Sequence, residues 1–209
     1  MSIQKTPLSI TIIYWMTNII FGLIALVGLA VIVFNILLYT DFFGNDLQLH
    51  TRLPVKMNIL ETGNLYLFNQ NIQVELVDAT SQIHFFNTPL FIARWFGTAM
   101  LMVGAIFFYL MFTFRKFIAN VKAFRIFDIQ NIQLLKNIAY ALLLLWIFSI
   151  IYMRIMASII VRNLEFKHVE FIEDYPNFGG LLLLSLFIWV LSHVLITGAR
   201  LKEEQDLTI

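Results

Sequence analysis

Four stretches of the chain carry no Asp, Glu, Lys or Arg: residues 6–40, 95–114, 137–153 and 175–199. Each is dense in Leu, Ile, Phe and Val. A membrane-spanning helix needs roughly 20 apolar residues at about 1.5 Å rise each. The pattern therefore predicts four spans, over about 10–39, 90–114, 132–156 and 179–199. The first apolar run, Leu8 to Tyr39, far exceeds the roughly 7–15 residues of a signal-peptide core. It reads as a retained helix, with Thr6 as its cap and Pro7 in its first turn. A helix of that length must tilt or project from the bilayer.

Between the first two spans the period changes. Leu53, Val55, Met57 and Ile59 alternate with Pro54, Lys56, Asn58 and Leu60, and Gln73-Val74-Glu75-Leu76 alternates again. Leu65–Phe68 is a short apolar run. Thr62-Gly63-Asn64 and Asn69-Gln70-Asn71 read as turns between these pieces. A small antiparallel β-sheet of three or four strands is expected over about 45–87. Leu164-Glu165-Phe166-Lys167 in the third loop would add a strand, so that two loops share one cap. The alternative is two separate loops on the helix ends. The second loop, 115–131, keeps a helical period: Phe114, Phe117, Ile118, Val121 and Phe124 recur at three- and four-residue steps. This fits a basic amphipathic helix on the inner leaflet, or a plain connector whose charge sets topology. Asp128 stands where the third span would be capped. The fold class expected is thus an α-helical membrane protein. It is a four-helix transmembrane bundle with an extracytoplasmic antiparallel sheet inserted between helices one and two.

Composition agrees: the chain is 60% hydrophobic and 13% charged, against about 45–50% and about 25% in globular proteins. Cys is absent, which excludes disulfides, thiol nucleophiles and cysteine-held metals. A net charge of +1 gives no field for direct nucleic-acid binding. The distribution of charge is more informative. The second loop holds Arg115, Lys116, Lys122 and Arg125 against one acid, Asp128. The first loop holds Arg52 and Lys56 against Asp41, Asp46, Glu61, Glu75 and Asp78. Basic residues concentrate in cytoplasmic loops. The second loop is therefore expected inside, with both termini cytoplasmic, in the bacterial cytoplasmic (inner) membrane.

Three polar residues interrupt or border the spans. Arg94 opens the second span, Arg154 lies near the end of the third, and His193 is in the fourth. Intramembrane charge is costly and often functional. Arg94 and Arg154 can also snorkel to the outer surface or pair with Asp41, Glu165 or Glu170. His193 suits a proton relay or an interhelical hydrogen bond. Asn18 and Asn35 are packing candidates of the same kind. His168, Glu170, Glu173 and Asp174 cluster in the third loop, yet their spacing matches no metal site. There is no H-E-x-x-H, Walker A, G-x-S-x-G or G-x-G-x-x-G motif. No enzyme, metal or cofactor is expected.

The fourth span is read as ending at Thr197-Gly198-Ala199-Arg200, before an acidic tail, 200–209, closed by Leu207 and Ile209. Gly198-x-x-Leu201-Lys202-Glu203-Glu204-Gln205-Asp206-Leu207-Thr208-Ile209 resembles the C-terminal signature of a bacterial membrane family catalogued as domain of unknown function 2975. Phe127-Asp128-Ile129-Gln130-Asn131-Ile132, then Leu135-Lys136-Asn137-Ile138-Ala139-Tyr140, is similar to that family's lead-in to its third helix. Ala139 stands where the family is expected to carry Gly. The resemblance implies four spans, an extracytoplasmic insert and a basic second loop. It implies no chemistry, because the family is uncharacterised. Family genes often lie beside those of small helix-turn-helix regulators, which implies a membrane partner for a transcription factor.

Two readings follow. In the first, a non-enzymatic sensor or regulator couples the outer β cap to a cytoplasmic partner such as a small helix-turn-helix protein. Its inner contact surface would be Arg115, Lys116, Lys122, Arg125, Glu203, Glu204, Asp206, Leu207 and Ile209. In the second, a small transporter or permease component, as a homo-oligomer, uses Arg94, Arg154 and His193 as a polar pathway. A structural subunit that binds another membrane protein is a third, plainer option.

Overall fold

The computed structural model describes residues 7–44, 47–67, 70–163, 170–173 and 175–206. Four long helices are present: α1 (Leu8–Tyr39), α2 (Leu90–Lys122), α3 (Ile129–Ile159) and α4 (Gly179–Asp206). All four are long and apolar enough to cross a membrane. Three strands, β1 (Leu49–Leu67), β2 (Gln70–Phe85) and β3 (Glu170–Glu173), lie in the loops between them. The chain divides into two compact units. One contains described residues of Met1–Phe42, Arg94–Phe148 and Phe178–Ile209. The other contains those of Phe43–Ala93 and Ser149–Asn177.

The helix ends follow from local chemistry. Pro7, with φ −54° and ψ 140°, is the N-cap of α1. Its carbonyl accepts from the Thr11 amide at 3.2 Å. The expected cap, Thr6, lies outside the described residues. The far end of α1 closes with Asp41 in the left-handed region at φ 56°, and the Phe42 amide returns to the Leu37 carbonyl at 3.1 Å. This is the 6→1 bond of a Schellman turn. α2 closes in the same way around Phe124, at φ 59°. The Arg125 amide reaches the Asn120 carbonyl at 2.9 Å and the Phe124 amide reaches Val121 at 3.1 Å. The basic stretch read as a separate inner-leaflet helix is, up to Lys122, the continuation of α2. No helix breaker falls between Phe114 and Lys122, so nothing stops the helix at the membrane boundary. The Asp128 carbonyl accepts from the Asn131 and Ile132 amides and starts α3.

In the helical unit, α1 packs through one stripe. Its buried and half-buried positions include Ile10, Tyr14, Thr17, Phe21, Ile24, Gly28, Val31, Asn35 and Leu38. These follow alternating steps of four and three, the 3.5-residue repeat of left-handed helix pairs. Leu23, Leu26 and Leu29, off the stripe, are exposed on the surface that lipid would cover. α3 supplies the core with Leu135, Ile138 and Leu142. Leu110, Phe114 and Phe117 of α2 and Leu181, Ile188 and Leu195 of α4 pack against them. Ser185 Oγ on α4 donates to the buried Ala139 carbonyl at 2.8 Å. A small residue at 139 lets the two backbones come this close.

In the strand-bearing unit, β1 and β2 pair antiparallel from Leu49↔Phe85 to Leu67↔Gln70. β3 pairs antiparallel with Val55–Asn58 of β1, so the order is β2-β1-β3. One expected turn, Thr62-Gly63-Asn64, is absorbed into the ladder, and the other, Asn69-Gln70-Asn71, falls where the chain reverses between Leu67 and Gln70. Thr62, Gly63 and Asn64 pair with Glu75, Val74 and Gln73, and Gln70 and Asn71 pair with Leu67 and Tyr66. The register shifts between Arg52 and Lys56 and between Asn58 and Glu61 instead. Pro54 falls inside the first shift, where a residue without an N–H costs no ladder bond. The strand expected at Leu164–Lys167 lies outside the described residues; the third loop contributes Glu170–Glu173.

Candidate functional site

The polar chemistry of the helical unit concentrates at the two ends of the α1–α2 seam. At one end, Arg94 in the first turns of α2 forms an ion pair with Asp41. Its Nε donates to the Leu38 carbonyl at 3.4 Å, and its guanidinium lies 5.4 Å from the Tyr39 ring centre. Thr98 Oγ1 gives its proton to the Arg94 carbonyl at 2.7 Å. The Tyr39 hydroxyl, 3.0 Å away, is therefore the donor to Thr98. The left-handed backbone at Asp41 turns its carboxylate to Arg94. Asp tolerates that conformation better than most residues.

One turn further along, Gly97 lets the helices touch. A Cβ there would meet Asn35 Oδ1 at 2.6 Å and Leu38 Cδ1 at 2.9 Å. Asn35 is buried; its Nδ2 donates to the Val31 carbonyl at 2.9 Å, while its Oδ1 has no hydrogen-bond donor.

At the other end, Arg115 Nε donates to Asn18 Oδ1 at 2.7 Å. Its guanidinium lies 5.0 Å from the Phe21 ring centre. Asn18 Nδ2 donates in turn to the Tyr14 carbonyl at 2.7 Å. Phe21 packs on Phe108, with ring centres 5.1 Å apart. Lys122 Nζ stands 4.1 Å above the Tyr14 ring, and Lys116 Nζ 4.3 Å above Phe112. Each such cation–π contact contributes roughly 0.5–2 kcal/mol. Arg94 and Arg115 are 21 residues apart on one helix, which is about 31 Å. That is the thickness of the hydrocarbon layer, about 30 Å. The two arginines are thus spaced to stand at its two faces.

Of the residues expected to form a polar pathway, Arg94 is engaged with α1. His193 is exposed on α4, its ring edge-on to Trp189 with centres 4.9 Å apart. Arg154 is exposed on α3 and belongs to the strand-bearing unit. Of the expected inner contact surface, Arg115 and Lys122 turn toward α1 and Lys116 covers Phe112. Arg125, Glu203 and Glu204 are exposed. Leu207 and Ile209 lie outside the described residues, as do His168 and Asp174. Asp206 is the last residue of α4. The acidic tail, up to Asp206, is helical: Gly198 does not end the helix but seats the Phe127 ring. A Cβ at Gly198 would lie 3.0 Å from Phe127 Cε1. Among the described residues no group of three or more His, Asp or Glu is placed to hold a metal.

Sequence reasoning missed Asn131 and the Ser185–Ala139 bond. Asn131 is fully buried; its Nδ2 donates to the Ile126 carbonyl at 3.4 Å, fixing the α2–α3 turn. A signal was present in the heptad spacing of small and polar residues: Ser185 and Ser192, Gly28 and Asn35.

No curated protein and no solved structure matches the chain. The family described as "Protein of unknown function (DUF2975)" matches residues 84–209. That match contains both segments of the resemblance, and Phe127 from one touches Gly198 from the other. The chain, with its four spanning-length helices, belongs to the DUF2975 family of proteins of unknown function.

Proposed function

We propose that this protein is a non-enzymatic membrane regulator that couples its strand-bearing insert, outside, to a cytoplasmic protein. The observation that supports it most is the Phe127–Gly198 contact. It joins the α2–α3 turn to the end of α4, so that these make one inner surface. Alternate crossings of four spans would put both on the same side of the membrane, and the basic charge of residues 115–125 supports reading that side as cytoplasmic. Exposed Arg125, Glu203 and Glu204 give the surface both signs of charge. The partner class is a small acidic-and-basic cytoplasmic domain, with a helix-turn-helix regulator as the family's gene order implies. The insert supplies the input, as a shift between two states that the helices carry across.

The test is cross-linking and pull-down from native membranes, with and without residues 201–209. A charge-reversal variant, Arg125→Glu with Glu203→Lys and Glu204→Lys, is run beside them. Loss of one cytoplasmic protein in both variants is the expected result. Every partner retained in both sinks the proposal. The polar-pathway reading is not carried forward, because Arg94 is paired with Asp41 and His193 is exposed on α4.

A further inference from the structure

α2 sends an arginine to α1 at each face of the bilayer, and the two are balanced differently. Arg94 meets a carboxylate, Asp41. Arg115 meets an amide, Asn18, which is neutral. Lys116, Lys122 and Arg125 follow within ten residues. Among the described residues none of these four cations has a carboxylate within ion-pair distance, whereas Arg94 pairs with Asp41 and Arg200 with Glu204. The nearest acid in sequence, Asp128, is exposed and pairs with none of them. Four positive charges beside a low-dielectric layer raise a local positive field at the end of α2, where no described carboxylate lies within ion-pair distance of them.

We propose that the inner end of the α1–α2 seam binds the phosphate of an anionic phospholipid headgroup, through Arg115 and Lys122, with Lys116 at its rim. The two ligands are seven residues apart, two turns or about 10 Å along the axis. Both project on the α1 side of α2, as their contacts with Asn18 and Tyr14 show. Arg115 uses only Nε on Asn18. Its two terminal nitrogens remain as a fork suited to two phosphate oxygens. Lys122 supplies three further donors as a point charge.

The depth selects the occupant. Arg115 sits one hydrocarbon thickness from Arg94, at the level where lipid phosphates already lie. An acidic peptide would have to leave water to reach it. Trp15, 61% exposed beside Tyr14, is placed at the same level, as interfacial aromatics are. Exposed Phe108 and Phe112 line α2 just inside, where an acyl chain would run. The proposal does not depend on a cytoplasmic protein partner.

The test uses the whole protein in nanodiscs of equal parts phosphatidylglycerol and phosphatidylcholine. Mild detergent extraction and native mass spectrometry then count the retained lipids. Wild type is expected to keep phosphatidylglycerol in preference. Arg115→Gln and Lys122→Gln should each cut that preference roughly fivefold, the value of one basic residue near an anionic surface. Arg200→Gln, outside the cluster, should leave it unchanged. Lys122 is the last residue of α2, so its variant carries the test even where Arg115→Gln does not fold. Equal retention of both lipids by wild type overturns the proposal, as does an unchanged preference in Lys122→Gln. A further arm adds inorganic phosphate to delipidated protein. Stabilisation equal to that given by phosphatidylglycerol would overturn the headgroup assignment in favour of a free anion; a smaller effect supports the lipid.

Discussion

The two ends of the α1–α2 seam use the same parts differently. Each joins an arginine from α2 to a polar residue and an aromatic ring on α1. At the Arg94 end the set is complete: carboxylate, carbonyl and ring all belong to the protein, and a hydroxyl pair, Tyr39 and Thr98, closes it. At the Arg115 end the hydrogen bond is made but the charge is left. The difference shows that positioning a cation and neutralising it are separate tasks. The first end fixes α1 whatever surrounds it. The second holds its position through a hydrogen bond and leaves its charge for its surroundings to answer.

The seam itself gives the largest test. Gly97→Leu should force α1 from α2, because Asn35 and Leu38 leave no space for a side chain. The loss is expected to be about 3 kcal/mol, the upper range for overpacking, read as a lower melting temperature in detergent. Gly104→Leu is the control, since nothing lies within 4 Å of its Cβ position. Equal losses in the two variants would show that the close contact at Gly97 does not hold the seam.

Breaking the closed end comes next. Arg94→Gln should cost about 2 kcal/mol, from a charge-assisted hydrogen bond and a cation–π contact. A double-mutant cycle with Asp41→Asn should return a coupling of about 1 kcal/mol, because both groups are partly solvated. The Arg115 end gives the contrast: Asn18→Ala should cost about 1 kcal/mol, typical of one hydrogen bond between membrane helices. Its cost should vary with the anionic lipid content of the bilayer, while that of Asp41→Asn should not.

The two Schellman turns sharpen the comparison with opposite signs. Phe124→Gly relieves a left-handed residue that L side chains disfavour by about 1 kcal/mol, and thermal stability should rise. Asp41→Gly relieves the same strain but loses the Arg94 pair, so no gain is expected. Ser185→Ala should have the smallest effect, about 0.6 kcal/mol, through the bond to Ala139.

Much of this fold was legible in the charges. Charge-free runs mark the four long helices, and Asp41 was already a candidate partner for Arg94. The α1 stripe was hidden because α1 is apolar all round: Leu faces lipid as readily as protein, so period alone shows no side. Only its small and polar members, Thr17, Gly28 and Asn35, distinguish the stripe. The strands were visible as alternation, but Gly63 read as a turn while the ladder runs through it. Gly198 misled in a related way. Glycine after an apolar run is a common helix stop, yet here its missing side chain admits Phe127. The charge imbalance at Arg115 could be counted from the sequence, whereas the absence of a carboxylate within ion-pair distance among the described residues required the fold.

Because α4 stays helical to Asp206, its last residues form a spacer rather than a tether. A flexible tail searches a volume that grows with its length. A helix carries its end to one height, about 9 Å past Arg200 over six residues, and in one rotational setting. A partner docking there, as proposed above, would meet Glu203 and Glu204 at a fixed reach from the end of the span. Inserting or deleting residues before that point would therefore turn the docking face by about 100° per residue, where a tether of the same composition would hardly register the change.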